Sequence, residues 1–207
     1  MSQAGVRRIV AATGNPHKVE EIAAILGPLG FEVMGLEAVG RVIAEPEETG
    51  RTFEENARLK AMYYAEATGA VCVADDSGLE VDALGGQPGV ESAYYAGREG
   101  TRAERDRANN AKLLMMMRDV PWELRTARFV CVMCAASSGR VIAEGRGTYE
   151  GRIGREAKGG NGFGYDPLLV LEDGRTSAEL SPTEKNARSH RGKAARVMAE
   201  MLRQAAW

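Results

Sequence analysis

Val71-Cys72-Val73-Ala74-Asp75-Asp76-Ser77-Gly78 sets four apolar residues directly before two carboxylates and a polar Ser-Gly pair. The apolar run reads as a buried strand over Ala70 to Asp75, with the acids at its carboxyl end and Asp76-Ser77-Gly78 leading into a turn. Just upstream, Thr52 with Glu55 forms a capping-box signature. Ala57, Ala61, Tyr64 and Ala65 follow it on a helix that Gly69 ends. A helix feeding a buried strand is the unit from which α/β folds are built.

The same alternation extends to both sides. Val6 to Ala12 reads as a strand that ends at Thr13-Gly14-Asn15-Pro16, where Asn15 is placed to cap a helix with Pro16 at its first position. Val19, Ile22, Ala23 and Leu26 carry that helix to Gly27-Pro28, and Phe31 to Leu36 is a second strand before the acidic loop Glu45-Pro46-Glu47-Glu48-Thr49-Gly50. Downstream, Thr101 with Glu104 opens a helix reaching about Arg118. Ala127 to Ala136 and Arg140 to Tyr149 read as a hairpin joined at Ser137-Ser138-Gly139. A short strand at Leu168 to Leu171 precedes Ser181-Pro182-Thr183-Glu184, which opens one final helix with an apolar face of Ala194, Val197, Met198 and Met201. No repeat or low-complexity linker marks a domain boundary.

With 44% hydrophobic and 27% charged residues, the 207-residue chain has the composition of a globular domain rather than of a disordered or fibrous one. A formal charge of -2 argues against broad electrostatic capture of nucleic acid or of an anionic membrane, so any anion must be held by a local cluster. No apolar run approaches the roughly 20 residues that span a bilayer, and Met1 to Gly14 lacks the plan of a secretory signal, so the cytoplasm is the expected compartment. Cys72, Cys131 and Cys134 fall on strand-like segments. Cys131-Val-Met-Cys134 matches C-x-x-C, but strand residues three apart face opposite sides, and the thiols are expected to be buried rather than ligating.

Three places carry candidate chemistry. Thr13-Gly14-Asn15-Pro16-His17-Lys18 runs from a strand end into a helix N-terminus, where backbone N–H groups and the helix dipole favour an anion and Lys18 adds charge. By itself the stretch fits an ordinary capped turn equally well, and His17 reads as a solvent-facing helix residue. Asp75 and Asp76 offer one carboxylate for Mg²⁺ and one to take a proton from water, with Glu47 and Glu48 as candidate partners; a plain polar turn is the alternative. On the last helix Lys185, Arg188, His190 and Arg191 crowd the N-terminal half, where positive charge is unfavourable unless an anion compensates it, although Arg188 suits a solvent-facing position. Before it, Gly162-Phe163-Gly164-Tyr165-Asp166-Pro167 sets aromatics among glycines, where a ring can lie against a nucleobase, and Tyr165 suits an anchor to the core.

Together, Thr13-Gly14-Asn15-x-x-Lys18, Thr52-Phe53-x-Glu55-Asn56-Ala57, Ala74-Asp75-Asp76-Ser77-Gly78-Leu79, Leu84-Gly85-Gly86-x-Pro88-Gly89, Phe163-Gly164-Tyr165-Asp166-Pro167 and Ser189-His190-Arg191-Gly192 resemble the inosine triphosphate pyrophosphatase family in order and spacing. The resemblance implies an elongated α/β homodimer with a mixed central sheet flanked by helices and two lobes with a cleft between them. It implies hydrolysis of the purine triphosphates ITP, dITP and XTP to the monophosphate and pyrophosphate with Mg²⁺. Asp76 would be the general base and a metal contact, and Glu47 a second acidic metal residue. Ser77 would touch substrate, the loop holding Thr13, Gly14, Asn15, His17 and Lys18 would hold the triphosphate together with Lys185, and Lys60 would also reach phosphate. Phe163, Gly164, Tyr165 and Asp166 with His190 and Arg191 would enclose the base, and donors near Arg191 would select its 6-oxo group.

One departure stands out. Where the family usually has Tyr-Ser-Ala-Arg-Tyr, this chain reads Glu91-Ser92-Ala93-Tyr94-Tyr95, so an aromatic and an arginine are missing, and no role is carried over to Glu91 or Tyr94. Two rivals remain at this stage: a pyrophosphatase for modified pyrimidine or guanine nucleotides, and a catalytically silent nucleotide sensor.

Overall fold

The computed structural model describes residues 7–205, so Val6 of the expected first strand and the Met1 to Val6 portion of the leader reading lie outside the described residues. In chain order the strands are β1 (Arg7–Ala11), β2 (Phe31–Gly35), β3 (Cys72–Val81), β4 (Thr126–Ser137), β5 (Arg140–Ile153) and β6 (Leu169–Val170). The helices are α1 (Pro16–Leu26), α2 (Phe53–Thr68), α3 (Arg102–Met116), α4 (Pro182–Arg188) and α5 (His190–Gln204). The strands form one sheet in the order β2-β1-β3-β4-β5-β6. β1 runs parallel to β2 and to β3, whereas β6 is antiparallel to β5, so the sheet is mixed as expected.

Local chemistry accounts for most element ends. Asn15 Oδ1 accepts the His17 amide at 3.1 Å with Pro16 at the first helical position of α1. The Thr52 hydroxyl accepts the Glu55 amide at 3.2 Å at the start of α2. Reciprocal capping boxes open α3 at Thr101 and Glu104 and α4 at Ser181 and Glu184. Ser138 and Gly139, with φ of 49° and 76°, make the two-residue link that turns β4 back into β5.

The contacts divide the chain into two compact units. The first takes the described residues through Asp76, Cys131–Gly147 and those from His190. Its core is built from Ile9, Ala11, Ile22, Leu26, Val73, Met133, Ala194 and Met198, among others. Helix α5 lies so close to β5 that a Cβ on Gly145 would stand 2.2 Å from Ala194 O, and one on Gly147 2.3 Å from His190 O. The second unit, Ser77–Val130 and Thr148–Ser189, packs Leu79, Leu113, Met117, Ile153, Tyr165, Leu168 and Leu180 together. The buried Arg125 donates to Ile153 O at 2.6 Å, Gly154 O at 2.7 Å and Met117 O, so its guanidinium is satisfied by backbone carbonyls.

Three expectations need correction. Asp75-Asp76-Ser77-Gly78 is not a turn at a strand end, because β3 runs unbroken for ten residues from Cys72 to Val81. Leu79 and Val81 are fully buried, and their packing overrides the turn preference of the Asp-Ser-Gly sequence. The basic segment is not one helix: Ser189, at φ -67° and ψ 163°, separates α4 from α5. Lys185 and Arg188 therefore sit in the last turn of α4, where the dipole favours positive charge, and only His190 and Arg191 begin a helix. Finally, Ala194 and Met198 are buried on α5, but Val197 and Met201 are nearly half exposed.

Candidate active site

The β1 ladder decides where the acids stand. Ala11 pairs with Val73 and the Ala12 amide donates to Val73 O at 2.7 Å, after which β1 ends while β3 runs on. Asp75 and Asp76 thus lie just past the carboxyl end of β1, the place where α/β sheets commonly hold ligands. The loop Thr13 to Lys18 starts at the same β1 end.

Neighbouring residues on a strand face opposite ways, and the two acids meet different company. Asp75, 2% exposed, pairs with Lys18 Nζ at 3.1 Å and Arg191 Nη2 at 3.0 Å, and the Cys131 thiol lies 3.9 Å away. Arg191 Nη1 is held by the Glu21 carboxylate. Asp76, 6% exposed, accepts Lys60 Nζ at 2.8 Å on Oδ1 and Asn56 Nδ2 at 3.3 Å on Oδ2. Lys60 also reaches Glu48 Oε1 at 2.6 Å.

Burial pulls both carboxyl groups toward neutrality, but the outcome differs. For Asp75, Lys18 and Arg191 outweigh burial and hold the carboxyl far below its ordinary range. For Asp76, burial outweighs Lys60 and raises the carboxyl above its ordinary range. Burial alone would lower Lys60, but Asp76 and Glu48 reverse that and keep it charged. Asp75 is therefore a fixed charge, while Asp76 holds a proton more readily than an ordinary carboxyl.

At the head of α1, Asn15 Nδ2 is a buried donor without a hydrogen-bond partner among the described residues. A buried orphan donor beside a helix N-terminus and the Lys18 ammonium points to a ligand acceptor atom. Thr13 Oγ1 accepts the Asn15 amide at 3.2 Å, Gly14 is exposed, and His17 is exposed as its helix position predicted.

In the second unit Asp166 organises the Phe163 loop. Its Oδ2 accepts Phe163 N at 2.9 Å and Lys185 Nζ at 2.8 Å, and its Oδ1 accepts the Ser177 hydroxyl at 2.7 Å. Lys185 Nζ and Arg102 Cζ stand 5.0 and 5.1 Å from the Phe163 ring centroid. Gly164 N donates to Asp106 at 3.0 Å, and the buried Tyr165 anchors the loop through Ser92 O at 2.8 Å. Tyr94, the departure from the family pattern, has Arg98 Cζ 4.4 Å and Arg105 Cζ 5.4 Å from its ring, so these arginines bring positive charge to that position.

Several sequence-level placements change. Glu48 is joined to Asp76 through Lys60, and Glu47 lies beside it on the same exposed loop. Arg191 does not present its Nη donors outward, since both are committed to Asp75 and Glu21. Lys185 joins Asp166 and Phe163 in the second unit, while Ser77 continues β3, half-buried. Arg188 is partly exposed and pairs with Asp173 at 3.1 Å. All three cysteines are buried free thiols. Asn56 and Glu21 carried no assigned role in the sequence. The available signal for Asn56 was its place on the α2 face shared by Phe53, Ala57, Lys60, Ala61 and Tyr64, all buried.

A mixed α/β sheet with a buried, cation-flanked carboxylate pair past the end of a parallel strand defines the class to which this molecule belongs. More particularly, the chain belongs to the Ham1 family, whose model matches residues 9–201. A dITP/XTP pyrophosphatase of Nitratidesulfovibrio vulgaris is 54% identical over 198 residues, covering 93% of this chain and 94% of that protein. The solved structure of a HAM1 protein from Coxiella burnetii superposes with a TM-score of 0.83 at 38% identity, covering 96% of this chain and all of that one. The Staphylococcus aureus Ham1 protein gives 0.81 at 37% identity, covering 96% and 99% of the two chains.

Proposed function

We propose that the protein hydrolyses the non-canonical purine nucleoside triphosphates ITP, dITP and XTP to the monophosphate and pyrophosphate, removing them from the nucleotide pool. The observation that carries this reading is the division of labour in the buried acid pair: Asp75 is tied up between Lys18 and Arg191, while Asp76 is held by Lys60 on one oxygen and Asn56 on the other and is joined to the acidic loop through Lys60 and Glu48. The choice of bond and base follows the named relatives, which are dITP/XTP pyrophosphatases.

Asp76 and Glu48 are hard oxygen donors that already share one cation, the Lys60 ammonium, so their chemistry fits Mg²⁺. With Glu47 on the same loop they would hold the ion, which when bound would neutralise charge on the phosphates. The chain's own groups do the rest. Asn15 Nδ2, the α1 N-terminus and Lys18 bind phosphate oxygens, and Asp75 keeps Lys18 in place. Asp76 orients a water and takes its proton as the water oxygen attacks the α phosphorus. The bond to the bridging oxygen then breaks and pyrophosphate leaves with that electron pair. By resemblance to the family, Ser77 is a substrate contact, Lys185 serves the triphosphate, and Phe163 to Asp166 with His190 serve the base.

Homodimeric assembly and a cytoplasmic location belong to the same proposal; among the described residues no helix is long and apolar enough to cross a membrane. Asp76→Asn tests the reading: turnover should fall by about 10²–10⁴-fold, the usual worth of a positioned base, with nucleotide binding largely kept. Unchanged turnover removes Asp76 from its role.

A further inference from the structure

We infer that Asn56 is a positioning residue for the reaction, a side-chain clamp that ties the acidic loop to the base Asp76; the inference rests on the pyrophosphatase reading above. Asn56 is 2% exposed, and both ends of its amide are used. Its Nδ2 donates to Asp76 Oδ2 at 3.3 Å, and its Oδ1 accepts the Gly50 amide at 2.8 Å. Gly50 closes the loop that carries Glu47 and Glu48, two residues after Glu48. One neutral group therefore spans the base and the loop whose acids serve the same site.

Residue type and spacing fit the task. Asn56 and Lys60 are four apart on α2 and share a face, so one helix brackets the carboxylate, Lys60 on Oδ1 and Asn56 on Oδ2. That fixes the carboxylate plane while leaving each oxygen a lone pair for water or a cation. An amide side chain offers both a donor for Asp76 and an acceptor for Gly50, on two separate atoms. The flipped amide would set donor against donor at Gly50, so the hydrogen-bond pattern fixes its orientation. The loop comes close enough to require glycine: a Cβ on Gly50 would lie 2.5 Å from Asn56 Oδ1 and 2.7 Å from Glu55 Cβ. Among the described residues the Asn56 side chain hydrogen-bonds to Asp76 and Gly50 and not to the α1 N-terminus or Lys18, so its loss should spare nucleotide binding.

The test separates the two halves of the clamp. Asn56→Asp keeps an acceptor for Gly50 but removes the donor to Asp76, whereas Asn56→Ala removes both. Turnover of inosine triphosphate with Mg²⁺ is measured together with hydrogen exchange at the Gly50 amide in the ligand-free protein. For Asn56→Asp, kcat should fall about tenfold or more with KM within about twofold, and Gly50 should stay protected. Asn56→Ala should show the same kinetic split and lose Gly50 protection. Gly50→Ala, which crowds the clamp from the loop side, should also lower kcat at nearly constant KM and keeps the test open if Asn56→Ala does not fold. Because Asn56→Asp also sets a second carboxyl against Asp76, Asn56→Leu, which keeps the volume and removes both hydrogen bonds, separates the readings. A residue that merely fills space predicts wild-type kcat there, and that result overturns the inference. So does Asn56→Ala with Gly50 exchange unchanged. Absence of turnover in the wild-type chain would instead remove the pyrophosphatase reading, and this inference with it.

Discussion

Replacing Asp75 by asparagine should destabilise the protein by about 3 kcal/mol, whereas the same change one residue later should cost little. Removing one partner of a buried ion pair typically costs about 3–5 kcal/mol, because the remaining charge is left without compensation. Asp75 serves two cations, Lys18 at 3.1 Å and the fully buried Arg191 at 3.0 Å, which argues for the full effect. Two features push it to the lower end: Arg191 keeps Glu21, and the Lys18 side chain is 15% exposed. For a chain of this length the loss corresponds to about 6–12 °C in Tm. Asp76 differs because burial raises its proton affinity, so its ionised form works against folding, and Lys60 keeps Glu48 after the substitution. Asp76→Asn should therefore change stability by no more than about 1 kcal/mol. The pH dependence follows from the sign of the Asp75 shift. Its folded carboxyl lies below the unfolded value of about 3.9, so its contribution is complete above that pH and declines as the pH falls further. Calorimetry and denaturant unfolding of both metal-free variants, from pH 7 to pH 3, measure all of this. The gap between wild type and Asp75→Asn should narrow below about pH 4. Equal destabilisation by the two variants, or a pH-independent gap, would refute the division of roles.

Two further outcomes follow from other parts of the molecule. Gly162→Ala would place a methyl 2.1 Å from Asp166 Oδ2 at a φ of +78°, so the Phe163 loop should loosen and KM for ITP should rise several-fold with little change in kcat, as steady-state kinetics would read. Cys72, Cys131 and Cys134 are buried, and burial pushes the Cys134 thiol up to about 12, so native protein at pH 8 should resist alkylation that labels all three after denaturation.

What the sequence made legible was local. Asn15-Pro16, Thr101 with Glu104 and Ser181-Pro182 with Glu184 satisfy their own helix ends within four residues, so each start could be read without the fold. The β4–β5 hairpin was legible for the same reason. Asp75-Asp76-Ser77-Gly78 misled because turn-forming residues were carried inside a strand by burial of Leu79 and Val81, a tertiary effect. Ser189 breaks a helix without glycine or proline, leaving no strong punctuation in the sequence. Within the site, the role of Asp76 as base came from the family resemblance, and its neighbours Lys60 and Asn56 became visible only in the fold. The partners of Arg191 were not foreseeable: Asp75 lies 116 residues away in sequence and Glu21 lies 170. The link from Glu48 through Lys60 to Asp76 depends on the path of an irregular loop, for which no periodicity exists.

The most direct test of the central claim is product identification, by chromatography and phosphorus NMR, from ITP, dITP, XTP, GTP and ATP incubated with the protein and Mg²⁺. The account predicts nucleoside monophosphate and pyrophosphate in equal amounts from the first three, with ATP and GTP turned over far more slowly. Release of orthophosphate, or a folded protein that turns over none of the five, would contradict it.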